Sequence, residues 1–207
     1  MTKIFNISLQ RTGTQSVNHL LRNSGVNSMH WVGAHGIDHY QPFKDKQDLI
    51  QKISSLDDEF DAFGDMPYNI LYNHYSKKYQ DAKFIFVTRD FESWHKSIEN
   101  FYQFEKKQKE LDGKSGLTDF QKICYSEYLD IDLNNKDSLS KEEYFEYYTK
   151  HYESVYEYFK DSENFLTVSL FDENSSEKIL KFLNIDSSLK LDKIDFLKNF
   201  TNESKNV

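Results

Sequence analysis

The sequence has few of the residues that cross-link or punctuate a chain: one cysteine, two prolines and seven glycines among 207 residues. With Cys124 alone, an intramolecular disulfide framework and a zinc site built on several cysteines are both excluded, which suits a reducing compartment. No run reaches the roughly 20 apolar residues that a membrane-spanning helix needs, and the chain starts with a strand pattern in place of a signal peptide. These absences predict a soluble, cytoplasmic protein.

Positive charge is also scarce, since 26 Lys and Arg residues stand against 34 Asp and Glu residues, for a formal net charge of -8. Nucleic acids are bound mainly through Lys and Arg side chains that neutralise phosphates, so this balance argues against such a partner and leaves room only for a local basic pocket. Large apolar side chains are plentiful, with 38% hydrophobic and 16% aromatic residues. Length and composition together predict a single domain, residues 1–207, around one core.

Strand-like and helix-like segments alternate along the chain. The first strand is predicted at 3–8, before a helix from Ser16, and the strongest strand pattern is 83–88, an almost unbroken apolar run typical of a parallel strand buried on both faces. Weaker patterns predict further strands near 28–32, at 60–65 and, as a last buried strand, at 165–170, with helices at 45–56, from Pro67, after Asp90 and at 140–160.

This alternation predicts an α/β fold in three layers, αβα, with a central parallel sheet of about five strands and right-handed crossovers. Residues 104–141 are charged and irregular, and we predict that they form a mostly helical insertion or lid within the single domain. Ligands of such sheets bind at the carboxyl ends of the strands. Asp65, Arg89 and Phe171 would gather there with the loop after the first strand.

The loop 9–16, LQRTGTQS, joins the first predicted strand to the first predicted helix. A helix that begins in this way presents unpaired backbone N–H groups and the positive end of its dipole, which together bind an anion. Gly13 lets the backbone approach a ligand closely, and Arg11 adds a permanent cation with a planar set of donors. The loop therefore predicts a phosphate or sulfonate site; the alternative is an ordinary turn that begins a helix.

The loop differs from that of nucleoside triphosphatases, because the motif G-x-x-x-x-G-K-[ST] needs an opening glycine and a lysine after the last glycine, and both are missing. It resembles instead the 5′-phosphosulfate loop of the sulfotransferase superfamily, whose members have a P-loop-like topology and use 3′-phosphoadenosine 5′-phosphosulfate (PAPS). That superfamily places a basic residue two positions before the glycine, as Arg11 stands before Gly13. The resemblance implies that the PAPS-binding residues here are Arg11, Thr12, Gly13, Thr14, Gln15 and Ser16.

A second match lies at 84–97, FIFVTRDFESWHKS. The superfamily's 3′-phosphate site has an Arg at the end of a buried strand and a Ser eight residues later in the next helix, positions that Arg89 and Ser97 occupy. An Arg offers paired donors to a dianionic phosphate, and a Ser hydroxyl adds another. Taken singly, Arg89 could instead pair with Asp90 and Ser97 could be a solvated helix position; Phe91 stands where the superfamily often has Pro.

A third match is 63–67, FGDMP, where the superfamily carries its catalytic base, a His or an acidic residue two positions before a proline. Asp65 holds that position. A carboxylate partly removed from water at a strand end can accept a proton from an acceptor hydroxyl. The competing interpretation is that Asp65 only caps the helix that Pro67 begins.

The resemblance extends over most of the chain. Trp94 and the helix HYESVYEYF at 151–159 match a small bacterial and eukaryotic subgroup, and Phe171 falls where the superfamily often places an aromatic ring against adenine, although core packing is the alternative. The insertion at 104–141 and the tail after about Ile185 lie outside the resemblance. The tail lacks the basic, glycine-containing segment that closes over the 3′-phosphate in cytosolic small-molecule sulfotransferases.

Three histidines, His30, His35 and His39, are widely spaced, with no cysteine nearby and no carboxylate pattern, so we predict no metal site. His30 and His35 are interpreted as lining an acceptor pocket or lying in a loop, and they are the next candidate bases after Asp65.

The resemblance implies a sulfotransferase that moves a sulfuryl group from PAPS to a hydroxyl or amine of a small acceptor. Arg11 would stabilise charge on the departing phosphate oxygen, and Asp65 would serve as the base. Two alternatives stay open: a non-catalytic nucleotide-binding module of the same fold, and a P-loop kinase, against which the missing lysine argues.

Overall fold

The structure is a computed structural model and describes residues 2–186. The part of the tail beyond Asp186, on which the expectation about a closing segment depends, lies outside the described residues. The elements follow in the order β1 (Ile4–Asn6), α1 (Thr14–Asn23), β2 (Ser28–Met29), α2 (Lys46–Ile53), β3 (Ala62–Gly64), α3 (Tyr72–Lys78), β4 (Lys83–Thr88), α4 (Phe91–Leu111), α5 (Asp119–Ser126), α6 (Lys141–Phe159), β5 (Phe165–Ser169) and α7 (Ser175–Phe182), with 3-10 turns at Val32–His35, Ser54–Asp58 and Tyr68–Ile70.

The five strands form one parallel sheet in the order β2-β3-β1-β4-β5. Phe5 in the middle of β1 is level with Phe63 of β3 on one side and Phe84 of β4 on the other. The chain leaves β1 towards β2 and leaves β4 towards β5, so the strand order reverses beside β1, where open α/β sheets place their ligands. The predicted α/β fold with about five parallel strands is confirmed.

Successive residues of a strand point to opposite sides of the sheet, so the apolar strands present hydrophobic side chains on both faces. Helices cover each of these faces. On one face the aliphatic side chains of the strands pack against α1 and α7; the cluster includes Ile4, Ala62, Ile85, Val87 and Val168 with Val17, Leu20, Ile179 and Leu180. On the other face the strand aromatics stack with the α3 region, with ring centroids 4.6 Å apart for Phe5 and Tyr75 and 5.1 Å for Phe5 and Phe63. Aromatic pairs at these separations add to the stabilisation from burial.

Two compact units can be distinguished: residues 2–31, 60–89 and 163–186, which hold the sheet, and residues 32–59 and 90–162, which are mostly helical. In the helical unit α5 and α6 both begin with a capping box, Thr118 with Gln121 and Ser140 with Glu143. Lys109 is buried and its Nζ donates to the carbonyl of Gly116 at 3.0 Å, which holds the segment between α4 and α5. The predicted insertion lies inside this unit, and the single domain over 1–207 stays a prediction.

The structure corrects three local predictions. Residues 104–111 were expected to be irregular, but α4 runs through Leu111. This stretch is rich in Glu, Lys and Gln, which have high helix propensity, but it lacks the apolar periodicity from which a helix is predicted. The last strand was expected to be buried, but β5 is an edge strand in which only Val168 is buried. Pro67 was expected to begin an α-helix, but a 3-10 turn follows it and α3 starts at Tyr72.

Candidate functional site

The loop between β1 and α1 is held by hydroxyl groups of buried residues. The Ser8 hydroxyl accepts a hydrogen bond from the Val87 N–H at 2.6 Å and donates to the side-chain oxygen of Asn6, which ties the loop to β4. The Thr12 hydroxyl donates to the Leu9 carbonyl at 2.6 Å. This hydroxyl thus shapes the loop, and the binding of PAPS by Thr12 stays a prediction from the resemblance.

The N-terminus of α1 faces the end of this loop without a side-chain cap. Gly13 is the N-cap residue, with φ 96° and ψ 20°, a left-handed conformation that glycine adopts without steric cost. Its carbonyl accepts the first helical hydrogen bond, from Val17 N–H at 3.1 Å. Because glycine has no side chain to satisfy the amides of the first turn, those amides and the helix dipole favour an anion.

Two arginines lie close together here, Arg11 in the loop after β1 and Arg89 at the end of β4. The Arg89 guanidinium, at the carboxyl end of β4, donates from Nη1 to the carbonyl of Arg11 at 2.8 Å. Burial lowers the pKa of Arg11, the carboxylate of Asp65 opposes that shift, and the positive charge of Arg89 adds to it. An arginine nevertheless stays charged in proteins, so its partly desolvated guanidinium beside a second cation favours a bound anion.

Asp65 lies at the turn after β3 and contacts two other segments. Its Oδ1 accepts from the Met66 N–H at 2.8 Å, and its Oδ2 lies 3.3 Å from His30 Nε2 and 3.5 Å from Thr14 Oγ1. Thr14 Oγ1 is itself 3.0 Å from His30 Nε2. A carboxylate, an imidazole and a hydroxyl from three separate segments thus meet beside the start of α1.

The capping interpretation of Asp65 does not describe this geometry. Neither the 3-10 turn after Pro67 nor α3 has a side-chain cap hydrogen bond, and the carboxylate faces His30 and Thr14. His30 was interpreted as a loop or pocket residue and as a next candidate base after Asp65. The strand predicted near 28–32 included His30, whereas β2 ends at Met29, so that His30 lies directly after it at this edge of the sheet.

A model of the family described as a sulfotransferase domain matches residues 3–196. The chain belongs to this sulfotransferase family. The match covers the strands, the loop after β1 and the helical unit, so the resemblance found in the sequence is confirmed, and the family is one of transferase enzymes. A search of curated proteins found no match. Within residues 2–186, no helix is long and apolar enough to cross a membrane.

In this sulfotransferase, Phe171 does not pack in the core. It follows β5, its side chain is half exposed at 51%, and its ring centroid lies 6.0 Å from the Cζ atom of Arg89. The alternative to stacking on adenine was that Phe171 packs in the core. Because the residue is exposed, core packing does not describe it. An accessible aromatic face beside a cation is a suitable surface for a heterocyclic base.

The remaining sequence-predicted residues of this sulfotransferase fall in two places. Gln15 and Ser16 lie in the first turn of α1, with Ser16 buried. Ser97 lies in α4 of the helical unit, so its pairing with Arg89 stays a prediction from the sequence. His35 also lies in the helical unit. Across residues 2–186, no group of three His, Cys, Asp or Glu residues is placed to hold a metal ion.

Proposed function

We propose that the protein transfers a sulfuryl group from PAPS to a hydroxyl or amine of a small acceptor. The supporting observation is that Thr14 belongs to two arrangements at once. It is the first residue of α1, whose N-terminus follows Arg11 and Gly13 and has no side-chain cap, and its hydroxyl contacts the Asp65–His30 pair. Groups that can bind an anion therefore lie next to groups that can accept a proton, and sulfuryl transfer to a hydroxyl requires both.

The anion-binding side would hold the 5′-phosphosulfate. The backbone amides of residues 13–16 and the guanidinium of Arg11 would stabilise the negative charge that develops on the 5′-phosphate oxygen when the bond to sulfur breaks. Because Arg11 is already partly removed from water, its interaction with that charge is stronger than that of an exposed arginine. PAPS itself supplies the activated sulfuryl group.

The acid–base side would accept the proton that the acceptor loses. Asp65 supplies the carboxylate of this side, and its fixed contacts with Met66, His30 and Thr14 keep it in one orientation. A positioned base of this kind contributes roughly 10²–10⁴-fold to a rate. Asp65 and Arg11 are therefore the residues that we assign to catalysis.

The nucleotide end would lie towards β4 and β5. Arg89 is the candidate for the 3′-phosphate, with Ser97 as the partner that the sequence motif predicts, and the half-exposed Phe171 is the candidate for the adenine ring. Arg89 already donates to the carbonyl of Arg11, so the same guanidinium connects the two phosphate ends of the site.

A thermal-shift panel tests the donor class. The product 3′-phosphoadenosine 5′-phosphate, ATP, GTP and NAD are compared at one concentration, for the wild type and for Arg89→Ala. At 100 times its Kd a ligand stabilises the folded state by about 2.7 kcal/mol, which corresponds to roughly 5–10 °C for a chain of this size. We expect the bisphosphate to give the largest shift and Arg89→Ala to reduce it. Equal or larger shifts with ATP would contradict the PAPS assignment.

A further inference from the structure

The imidazole of His30 uses one ring nitrogen for both of its protein contacts. Nε2 lies 3.3 Å from Asp65 Oδ2 and 3.0 Å from Thr14 Oγ1. Nδ1 forms no hydrogen bond with any residue in the described range 2–186. The side chain is 25% exposed, so a ligand can reach the ring. The second nitrogen is thus available to a molecule that binds beside the loop.

The carboxylate of Asp65, in contrast, is occupied at both oxygens. Oδ1 accepts from the Met66 N–H, and Oδ2 faces His30 and Thr14. Its side chain is 15% exposed, less than that of His30. Each oxygen of Asp65 therefore already faces at least one protein group, whereas His30 Nδ1 faces none that forms a hydrogen bond within residues 2–186.

The carboxylate also fixes which nitrogen of His30 carries hydrogen. A neutral imidazole has one N–H donor and one acceptor nitrogen, and the donor side is set by its hydrogen-bond partner. A carboxylate accepts and cannot donate when ionised, so Asp65 favours hydrogen on Nε2. Nδ1 is then the nitrogen with the lone pair, on the side that has no protein partner.

We infer that His30 is the group that receives the acceptor's proton, at Nδ1, and that Asp65 is the positioning residue that acts through it. This rests on the proposed sulfuryl transfer. In the step, the acceptor oxygen forms a bond to sulfur while the bond between sulfur and the 5′-phosphate oxygen breaks. The electron pair of that bond leaves with the phosphate, and the acceptor's hydroxyl proton moves to His30 Nδ1. The resulting imidazolium keeps its Nε2–H against Asp65, whose negative charge stabilises it, and later loses the Nδ1 proton to water.

Thr14 links the His30 ring to the site where PAPS would bind. Its hydroxyl contacts His30 Nε2, while its backbone begins α1 next to Gly13. Any group bound at the helix N-terminus is therefore held at a fixed distance from the His30 ring. His30, from the end of β2, is thus the catalytic residue beside Arg11, and Asp65 positions it.

Two acceptors of similar size distinguish a proton-receiving role from a structural one. In mildly alkaline buffer 4-nitrophenol is largely ionised and needs no base, whereas 4-methylphenol keeps its proton. His30→Gln retains an amide donor for Asp65 and removes the basic nitrogen. We expect its single-turnover rate with 4-methylphenol to fall by about 10²-fold, a much smaller loss with 4-nitrophenol, and bisphosphate affinity close to that of the wild type.

His19→Gln is the matched control, since His19 lies in α1 of the same unit and outside this cluster. We expect it to keep both rates. Equal losses with the two phenols in His30→Gln would mean that His30 is structural. A large loss in Asp65→Asn with little loss in His30→Gln would make Asp65 the base and overturn the inference.

A nuclear magnetic resonance measurement tests the pair without turnover. In protein labelled with 15N at histidine, the two ring nitrogens of His30, assigned by comparison with His30→Gln, should show hydrogen on Nε2 and a lone pair on Nδ1 in the neutral form. Asp65→Ala should shift this balance towards a mixture. Hydrogen on Nδ1 in the wild type would refute the inference even if transfer occurs. A wild type with the expected tautomer that transfers to neither phenol would contradict the proposed function and, with it, the proton-receiving role.

Discussion

Replacing Asp65 by Asn, Ala and Gly separates its chemistry from its contribution to the fold. The residue has φ 65°, in the left-handed region that Asn and Gly tolerate and Ala does not. Its Oδ1 accepts from the Met66 N–H at 2.8 Å. Asn keeps an acceptor at this place, so we expect Asp65→Asn to change the free energy of unfolding by less than about 1 kcal/mol.

Asp65→Ala loses both features. The hydrogen bond is worth about 1 kcal/mol, and placing alanine in the left-handed region costs about 1–2 kcal/mol, so we expect a loss of roughly 2–3 kcal/mol in unfolding free energy. Asp65→Gly loses the hydrogen bond without the steric cost, and its stability should lie between those of the other two variants. The expected order of stability is Asn, then Gly, then Ala.

The single-turnover rates of the three variants should not follow this order of stability. All three variants lack the carboxylate that holds His30, so each should lose about 10²-fold or more in single-turnover rate with 4-methylphenol, the scale of a lost acid–base group. Urea denaturation gives the unfolding free energies, and titration with the bisphosphate checks that donor binding is retained. Wild-type turnover in Asp65→Asn, or rates that follow the order of stability, would refute the reasoning.

Substitutions at three further positions test the loop after β1 and its contacts with β4. Arg11→Gly and Arg11→Ala should both lose most transfer activity, but Gly should be about 1 kcal/mol more stable, because Arg11 has φ 67°; wild-type turnover in either would end the phosphosulfate-loop assignment. Arg89→Ala should weaken binding of the 3′-phosphorylated nucleotide far more than that of its 3′-dephospho analogue, and equal losses would limit Arg89 to supporting the Arg11 carbonyl. Ser8→Ala should cost about 1–3 kcal/mol in urea denaturation, because the buried Val87 N–H loses its acceptor; no change in stability would show that this hydrogen bond is replaced.

The sheet was predictable where burial on both faces left a pattern in the sequence. The run 83–88 is a strand with these same bounds, and it lies between two neighbours in the sheet. The burial of β5 was harder to predict, because an edge strand pairs on one side only; although its sequence looks apolar, only Val168 is buried. The C-terminal part of α4 was missed for the opposite reason, since its exposed residues carry propensity but no periodicity.

The site was predictable one segment at a time but not as an assembly. The loop after β1 and the position of Asp65 follow from local motifs, because the chemistry of each is carried by adjacent residues. The meeting of Thr14, His30 and Asp65 depends on the strand order β2-β3-β1, which brings together the ends of strands far apart in the chain. No local periodicity encodes that order, so His30 could be recognised as a neighbour of Asp65 only in the folded structure.

Backbone conformation adds an argument that the sequence alone could not supply. Among residues 2–186, the non-glycine residues with positive φ are Arg11, Asp65 and Asn184. Asn184 follows the end of α7, where a left-handed residue commonly terminates a helix. Arg11 has no such reason, and its conformation costs about 1–2 kcal/mol that glycine would avoid, whereas an aspartate such as Asp65 tolerates the left-handed region better. The side chain of Arg11 must therefore supply something that glycine cannot, and that contribution is its guanidinium beside Asp65 at the start of α1.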